Sequence, residues 1–216
     1  MNNRNIPITK RIADEVLQAR KDINFRKEIA KEDENVKGSF NKIIGNLVAS
    51  TFRKYISYIL NYYGYNYKVS NVNAYIKNYP TEWDLIILKN DAIETNTNVY
   101  NANDVVAVLE FKTSGLADKD IPKQFDNQFS NLYNIKNKGE SDHKIVFGYI
   151  TFSETPTLYE DTKKYFDDRN EQDKTTFVFT NFNKMQNKYD LLYDECSFNE
   201  LDNSNFEEYL LNLLGL

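Results

Sequence analysis

The stretch "DVVAVLEFKTSG", residues 104–115, decides the fold predicted for this chain. Apolar residues run without a break from Val105 to Leu109, which is typical of a strand buried on both faces. Glu110 and Lys112 follow, and because side chains alternate across a strand, both point to the same face. A charge at the end of a buried run is costly unless something pairs with it. A salt bridge at a strand terminus and a metal site both satisfy this requirement.

A shorter apolar stretch, "EWDLIILK" at residues 82–89, precedes it and carries Asp84 near its start. If the two stretches are neighbouring strands, about 5 Å apart, Asp84 and Glu110 can share one divalent cation. Hard oxygen ligands suit Mg²⁺ or Mn²⁺, and the backbone carbonyl of Phe111 could add another oxygen. Lys112 would lie beside the metal, where it could orient or deprotonate a water or stabilise charge on a phosphate.

The remaining chain alternates between helical and strand patterns, which predicts an α/β domain with a mixed central sheet flanked by helices. Residues 8–34 predict an amphipathic helix or arm, and Gly38-Ser39 separates it from a long helix over 40–63 that ends at Gly64. Further helices are predicted over 119–137 (with Phe125, Phe129, Leu132 and Tyr133 inward), 155–170 and 205–214. Further strands are predicted within 65–76, over 144–153 and 175–182, and within 188–201.

Composition excludes several classes of protein. The chain has 216 residues, a net charge of −5, one cysteine and one histidine. A single Cys196 cannot form an intrachain disulfide, and with His143 it cannot build a zinc site of the usual His and Cys ligands. There is no apolar run of about 18 residues and no apolar segment near the N-terminus, so we expect a cytoplasmic protein without a membrane partner.

The stretches "YPTEWDLIIL" and "VVAVLEFKTSG" together resemble the PD-(D/E)XK nuclease superfamily, and are similar to uncharacterised bacterial nuclease-like and defence domains within it. The resemblance covers about residues 38–152. It implies a restriction-endonuclease-like fold and Mg²⁺-dependent hydrolysis of DNA, with Mn²⁺ as a second usable metal, in a restriction or phage-defence context. It implies that Asp84, Glu110 and Lys112 are catalytic, and that Asp84, Glu110 and the carbonyl of Phe111 hold the metal.

The predicted organisation is an N-terminal helical arm over residues 1–36 and a nuclease-like domain over 37–216. Cutting both strands of DNA in one encounter needs two active sites, so a homodimer is predicted.

The chain departs from the superfamily pattern in several places. Pro80 precedes Asp84 by four residues rather than one. Many members carry an acidic residue on the first helix, whereas residues 38–63 contain none, which puts a second metal in doubt; Asn41 and Asn46 are the nearest polar candidates. Glu82 either substitutes for that acid or lies at the rim of the site. Gln124 and Gln128 either face the site or belong to a solvated helix face.

A basic segment offers a surface for nucleic acid. Residues 35–81 contain no Asp or Glu, whereas acids exceed bases over residues 82–216. The segment includes Lys37, Lys42, Arg53 and Lys54, which lie on or beside the long helix and are predicted to hold DNA phosphates. A chance run of bases explains the pattern equally well. Two alternatives stay open for the whole chain: a weakly active or inactive nucleic-acid-binding module of the same fold, and a protein-interaction domain that docks through its N-terminal helix.

Overall fold

The chain folds as a mixed α/β protein with two mixed sheets and flanking helices. The computed structural model describes residues 8–29, 36–112, 120–153, 174–180 and 206–216. Its α-helices are α1 (Ile8–Ile29), α2 (Val36–Tyr62), α3 (Asp120–Asn137) and α4 (Phe206–Leu214). Its strands are β1 (Tyr67–Val69), β2 (Ala74–Ile76), β3 (Glu82–Trp83), β4 (Leu85–Lys89), β5 (Glu94–Asn96), β6 (Val99–Tyr100), β7 (Val105–Lys112), β8 (Val146–Ser153) and β9 (Lys174–Thr180).

The larger sheet has five strands in the order β1-β4-β7-β8-β9. Strand β4 is antiparallel to both β1 and β7, whereas β7, β8 and β9 run parallel. Parallel neighbours need a long crossover connection, and α3 lies in the connection from β7 to β8. The predicted burial of the central strand is confirmed, because β7 is buried from Ala107 to Phe111.

The smaller sheet has four strands in the order β3-β2-β6-β5. The single strand predicted over residues 82–89 is divided at Asp84, with β3 in the smaller sheet and β4 in the larger one. Periodicity alone did not show this division, because the apolar pattern continues through it. Asp84 therefore stands where the chain passes from one sheet to the other.

Two apolar clusters cover the two opposite faces of the larger sheet. One joins alternate residues of the sheet, such as Leu85 and Leu109, to α1, α2 and α4. Within it Phe52 of α2 stacks on Phe111 of β7, with ring centroids 4.4 Å apart and planes 6° apart. The other cluster joins residues such as Val108 to the smaller sheet and to Ile135 of α3. Helices α2 and α3 therefore lie on opposite faces of the sheet.

The end of α2 follows the prediction and its beginning does not. Gly64 has φ 69°, and the amide of Tyr65 donates to the carbonyl of Leu60 at 2.9 Å, so the helix ends in a left-handed cap. However, α2 begins at Val36, so Gly38 and Ser39 lie in its first turns rather than before it. A glycine costs a helix only about 1 kcal/mol.

One of the four residues predicted to face inward on α3 is exposed, and two others have side chains outside the described residues. Tyr133 is 66% exposed, whereas Ile135 is buried and Leu132 is partly buried. The prediction that Tyr133 faces inward is wrong. Tyr133 lies one position after Leu132, which turns its side chain by about 100° around the helix. The side chains of Phe125 and Phe129, the helix predicted over 155–170 and the strand predicted within 188–201 lie outside the described residues. No helix in the described ranges has the length and apolar character to cross a membrane.

Candidate active site

The pairing of β4 with β7 brings Asp84 and Glu110 together. Leu85 is paired with Leu109, so the next position along each strand places Asp84 opposite Glu110. Residues directly opposite in an antiparallel pair have Cβ atoms about 4.5–5.5 Å apart. The Oδ2 atom of Asp84 accepts a hydrogen bond of 2.8 Å from the amide of Phe111. The side chain of Asp84 thus continues the hydrogen bonding between the strands just before the start of β4.

Glu110 is a buried carboxylate with two side-chain donors. Only 4% of the residue is exposed. The ammonium of Lys112 donates to its Oε1 atom, as expected for residues on one face of a strand. The side-chain amide of Gln128, on α3, donates a second hydrogen bond to the same carboxylate. Of the two alternatives for Gln128, the structure therefore shows it facing the carboxylate pair.

Burial and the charge of a nearby carboxylate destabilise the charged form of each member of the pair: Asp84 acts on Glu110, and Glu82 acts on Asp84. Burial, and then the charge of Asp84, raise the pKa of Glu110 to about 7, against the opposing effects of Lys112 and Gln128. Burial also raises the pKa of Asp84, which the Phe111 amide, Lys112 and Arg53 oppose. A divalent cation between two such groups would replace repulsion with attraction.

The donors present suit a hard divalent cation. Mg²⁺ commonly takes one or two protein carboxylates and completes its shell with water and substrate oxygens, which matches the pair Asp84 and Glu110. Gln128 is only 5% exposed, and its buried Oε1 atom has no hydrogen-bond partner in the described part of the chain. A cation, or a water held by it, would satisfy that oxygen. The carbonyl of Phe111 stays a predicted further ligand.

Further acidic ligands are lacking among the described residues. No group of three or more His, Cys, Asp or Glu side chains that could hold a metal occurs there. Glu82 is exposed, and its carboxylate accepts hydrogen bonds from Tyr75 at 2.7 Å and Asn73 at 2.8 Å. These bonds lower the pKa of Glu82, and they hold it on the smaller sheet rather than beside Glu110.

The basic residues predicted to bind DNA have different surroundings. Arg53 is partly buried and donates from Nη2 to the carbonyl of Asp84 and to Oδ1 of Asn73. Lys54 is exposed, but it pairs with Glu15 of α1 at 2.6 Å and lies over the ring of Tyr55. Lys42 is exposed, and its charge contributes to the lowered pKa of Glu82. The side chains of Lys37 and Gln124 lie outside the described residues.

Two residues near the site were not predicted from the sequence: Asn73, which connects Arg53 to Glu82, and Tyr75, which donates to Glu82. Neither residue has a sequence signal of its own, because each acquires its role only when β2 pairs with β3. Comparisons with protein-family models, curated proteins and solved structures find no match to this chain. The features of this chain that bear on its function are therefore the positions of Asp84, Glu110, Lys112 and Gln128.

Proposed function

We propose that this chain is a metal-dependent nuclease that hydrolyses phosphodiester bonds of DNA, acting as an endonuclease in a restriction or phage-defence context. One observation carries the proposal: Asp84 lies opposite Glu110 across β4 and β7, and Lys112 lies on the same face. A structural ion pair would need Glu110 and Lys112 but not a second, partly buried carboxylate, whose charge raises the pKa of Glu110. An opposed pair of this kind is favourable chiefly when a cation binds it.

The order of elements also supports the proposal. Helix α2 is followed by β1, β4 and β7 of the larger sheet, then by α3 and β8. This helix–strand–strand–strand–helix–strand order agrees with the restriction-endonuclease-like core that the resemblance implies. The smaller sheet is an addition to it, inserted between β1 and β7.

In the proposed reaction, water attacks phosphorus, a new P–O bond forms, and the bond from phosphorus to the leaving oxygen breaks. The proton lost by the water ends on solvent, and the leaving oxygen takes up a proton. Asp84 and Glu110 would hold Mg²⁺ or Mn²⁺, which supplies electrophilic stabilisation of phosphate charge when bound. Lys112 donates to Glu110, as an ammonium does, so its proposed role is to orient the water and to stabilise phosphate oxygens by charge.

The proposed partner is DNA, bound through phosphates near the exposed Lys42 at the α2 side of the site. A homodimer remains part of the proposal, because one active site per chain cuts one strand at a time.

Cleavage of supercoiled plasmid and single-stranded oligonucleotides, in Mg²⁺, Mn²⁺ or EDTA, tests the proposal. We expect metal-dependent cutting by the wild type and a loss of at least about 100-fold in Lys112→Ala and Glu110→Ala. Lys136→Ala, which changes an exposed lysine in the last turn of α3, is the matched control and should cut normally. Far-UV circular dichroism should show that all variants stay folded.

Other outcomes are equally informative. Binding of DNA without cutting in any metal would favour the inactive binding module of the same fold. Cutting that survives in both Lys112→Ala and Glu110→Ala would place the activity elsewhere or in a contaminant. A single set of discrete bands would show that the cutting is sequence-specific.

A further inference from the structure

Arg53 connects α2 to Asp84, just before the start of β4. It reaches this point from the sheet face opposite α3. Its Nη2 atom donates to the backbone carbonyl of Asp84, and to Oδ1 of Asn73 at 2.8 Å. Asn73 in turn donates to Glu82 at 2.8 Å, so the guanidinium is held from two sides. This arrangement fixes Arg53 at the point where the chain leaves the smaller sheet and enters the larger one.

The guanidinium carries a permanent charge beside the carboxylate pair. Arg53 and Asp84 influence each other electrostatically, each favouring the charged form of the other. An arginine stays protonated even when partly buried. On the other side, Lys112 is paired with Glu110. The two carboxylates are thus matched by two cations before any metal binds.

The charges of the site oppose a second divalent cation more strongly than a first. Because two cationic side chains already match the two carboxylates, a first divalent cation leaves two positive charges in the site and a second leaves four. Two metal ions about 3.5–4 Å apart need carboxylates enough to bridge and neutralise four positive charges. Within the described residues no third acidic side chain joins Asp84 and Glu110, and α2 contributes Arg53 instead of an acid anywhere in Val36–Tyr62. A cation beside Asp84 would also be repelled by Arg53, whose charge acts on that carboxylate.

We propose that Arg53 is a positioning residue and built-in counter-charge of the carboxylate pair, and that it limits the site to one divalent cation per chain. This inference rests on the proposed function, because it concerns the metal of the same site. Arg53 would hold the carbonyl of Asp84 and so fix the direction of its side chain. Its charge would take the place that a second metal occupies in a two-metal site.

Titration of the metal-free full-length chain with Mn²⁺, followed by electron paramagnetic resonance of the free ion, measures the stoichiometry. Glu110→Gln serves as the background for adventitious binding by exposed acids. We expect one site per chain above that background. Two sites per chain would overturn the inference and leave the proposed function intact. Identical binding by wild type and Glu110→Gln would overturn both, since no metal would then depend on the carboxylate pair.

Two substitutions separate the charge of Arg53 from its hydrogen bonds. Arg53→Lys keeps the charge, and Arg53→Gln keeps a donor but removes the charge. If the charge opposes metal, Arg53→Gln should bind Mn²⁺ about fivefold more tightly than Arg53→Lys, and the difference should shrink at high salt. A purely structural role predicts the reverse order or equal affinities, which would overturn the counter-charge role. If either variant unfolds, as circular dichroism would show, the stoichiometry of the wild type decides the inference.

Discussion

Glu110 is the residue on which the proposed chemistry depends, and burial together with three neighbours sets the pKa of its carboxyl. Asp84 follows β3 and precedes β4, Lys112 lies on the same strand as Glu110, and Gln128 lies on α3. Burial, and then the charge of Asp84, disfavour the charged form of Glu110, whereas Lys112 and Gln128 favour it. The balance leaves a carboxyl whose pKa is raised to about 7, near physiological pH.

At the residue scale, the apo protein should become less stable as pH rises, because of Glu110. A carboxyl whose folded pKa is about 7 and whose ordinary value is 4.5 stabilises the fold below pH 4.5, and this contribution is lost as pH rises through 7. Glu110→Gln does not titrate. In EDTA, the stability of Glu110→Gln relative to wild type should therefore be about 2 kcal/mol greater at pH 8 than at pH 5.

Urea denaturation at the two pH values gives this difference, and constant effects of the substitution cancel in it. Glu208→Gln, which changes an exposed acid on α4, should show no such trend. A relative stability of Glu110→Gln that is the same at both pH values would show that Glu110 is not a destabilised carboxylate in the apo fold.

At the element scale, the close packing of α4 on β8 helps to position the larger sheet. Gly148 of β8 lies under α4, and a Cβ atom there would overlap a side-chain methyl of Leu109 and lie 2.9 Å from a methyl of Leu213 and 2.9 Å from the hydroxyl of Tyr209. The ends of three side chains would therefore have to shift together to admit a methyl group. Glycine at this position lets the helix pack directly on the strand.

Gly148→Ala should therefore destabilise the protein by about 1–3 kcal/mol, because the buried side chains around it must shift from their packed positions. Gly45→Ala is the matched control, since Gly45 is exposed on α2 and a Cβ there meets no atom within 4 Å. That control should stabilise the protein by about 0.5–1 kcal/mol through better helix propensity. Thermal unfolding of the two variants beside wild type measures both effects; equal shifts would contradict the packing argument.

At the scale of the whole molecule, α1 and α4 share one apolar cluster with α2 and the larger sheet. Ile12, Ala13 and Val16 of α1 are fully buried in it, as is Phe206 of α4. The backbone amide of Phe206 also donates to the hydroxyl of Thr9 at 2.9 Å. The boundary predicted between residues 36 and 37 falls at the first residues of α2. These contacts indicate that α1 unfolds together with the rest of the chain.

Ile12→Ala should cost about 2–4 kcal/mol and leave a single unfolding transition, because the cavity opens in the shared core. Lys10→Ala, at an exposed position two residues away, should change stability by less than about 0.5 kcal/mol. Denaturant unfolding followed by both tyrosine fluorescence and circular dichroism measures the cost and the number of transitions. A separate early transition of α1 alone would instead favour a detached N-terminal arm.

The sequence was sufficient for the helix or strand character of α2, β7, β8 and β9, since apolar periodicity and the cap at Gly64 are local properties of the chain. It also placed Glu110 and Lys112 on one face of β7, because successive side chains of an extended backbone point to opposite faces. The division at Asp84 and the exposure of Tyr133 were not predictable in this way. Both depend on which neighbour each segment meets in space.

The sequence by itself therefore determined which residues carry charge and which side of their own strand or helix each one occupies. Only the tertiary structure decided that Asp84 lies opposite Glu110, that Gln128 reaches Glu110 from α3, and that Arg53 holds Asp84 from α2. The physical reason is that strand register and helix docking are set by packing between segments distant in the chain. A shift of one residue in the pairing of β4 with β7 would place Asp84 and Glu110 on opposite faces of the sheet.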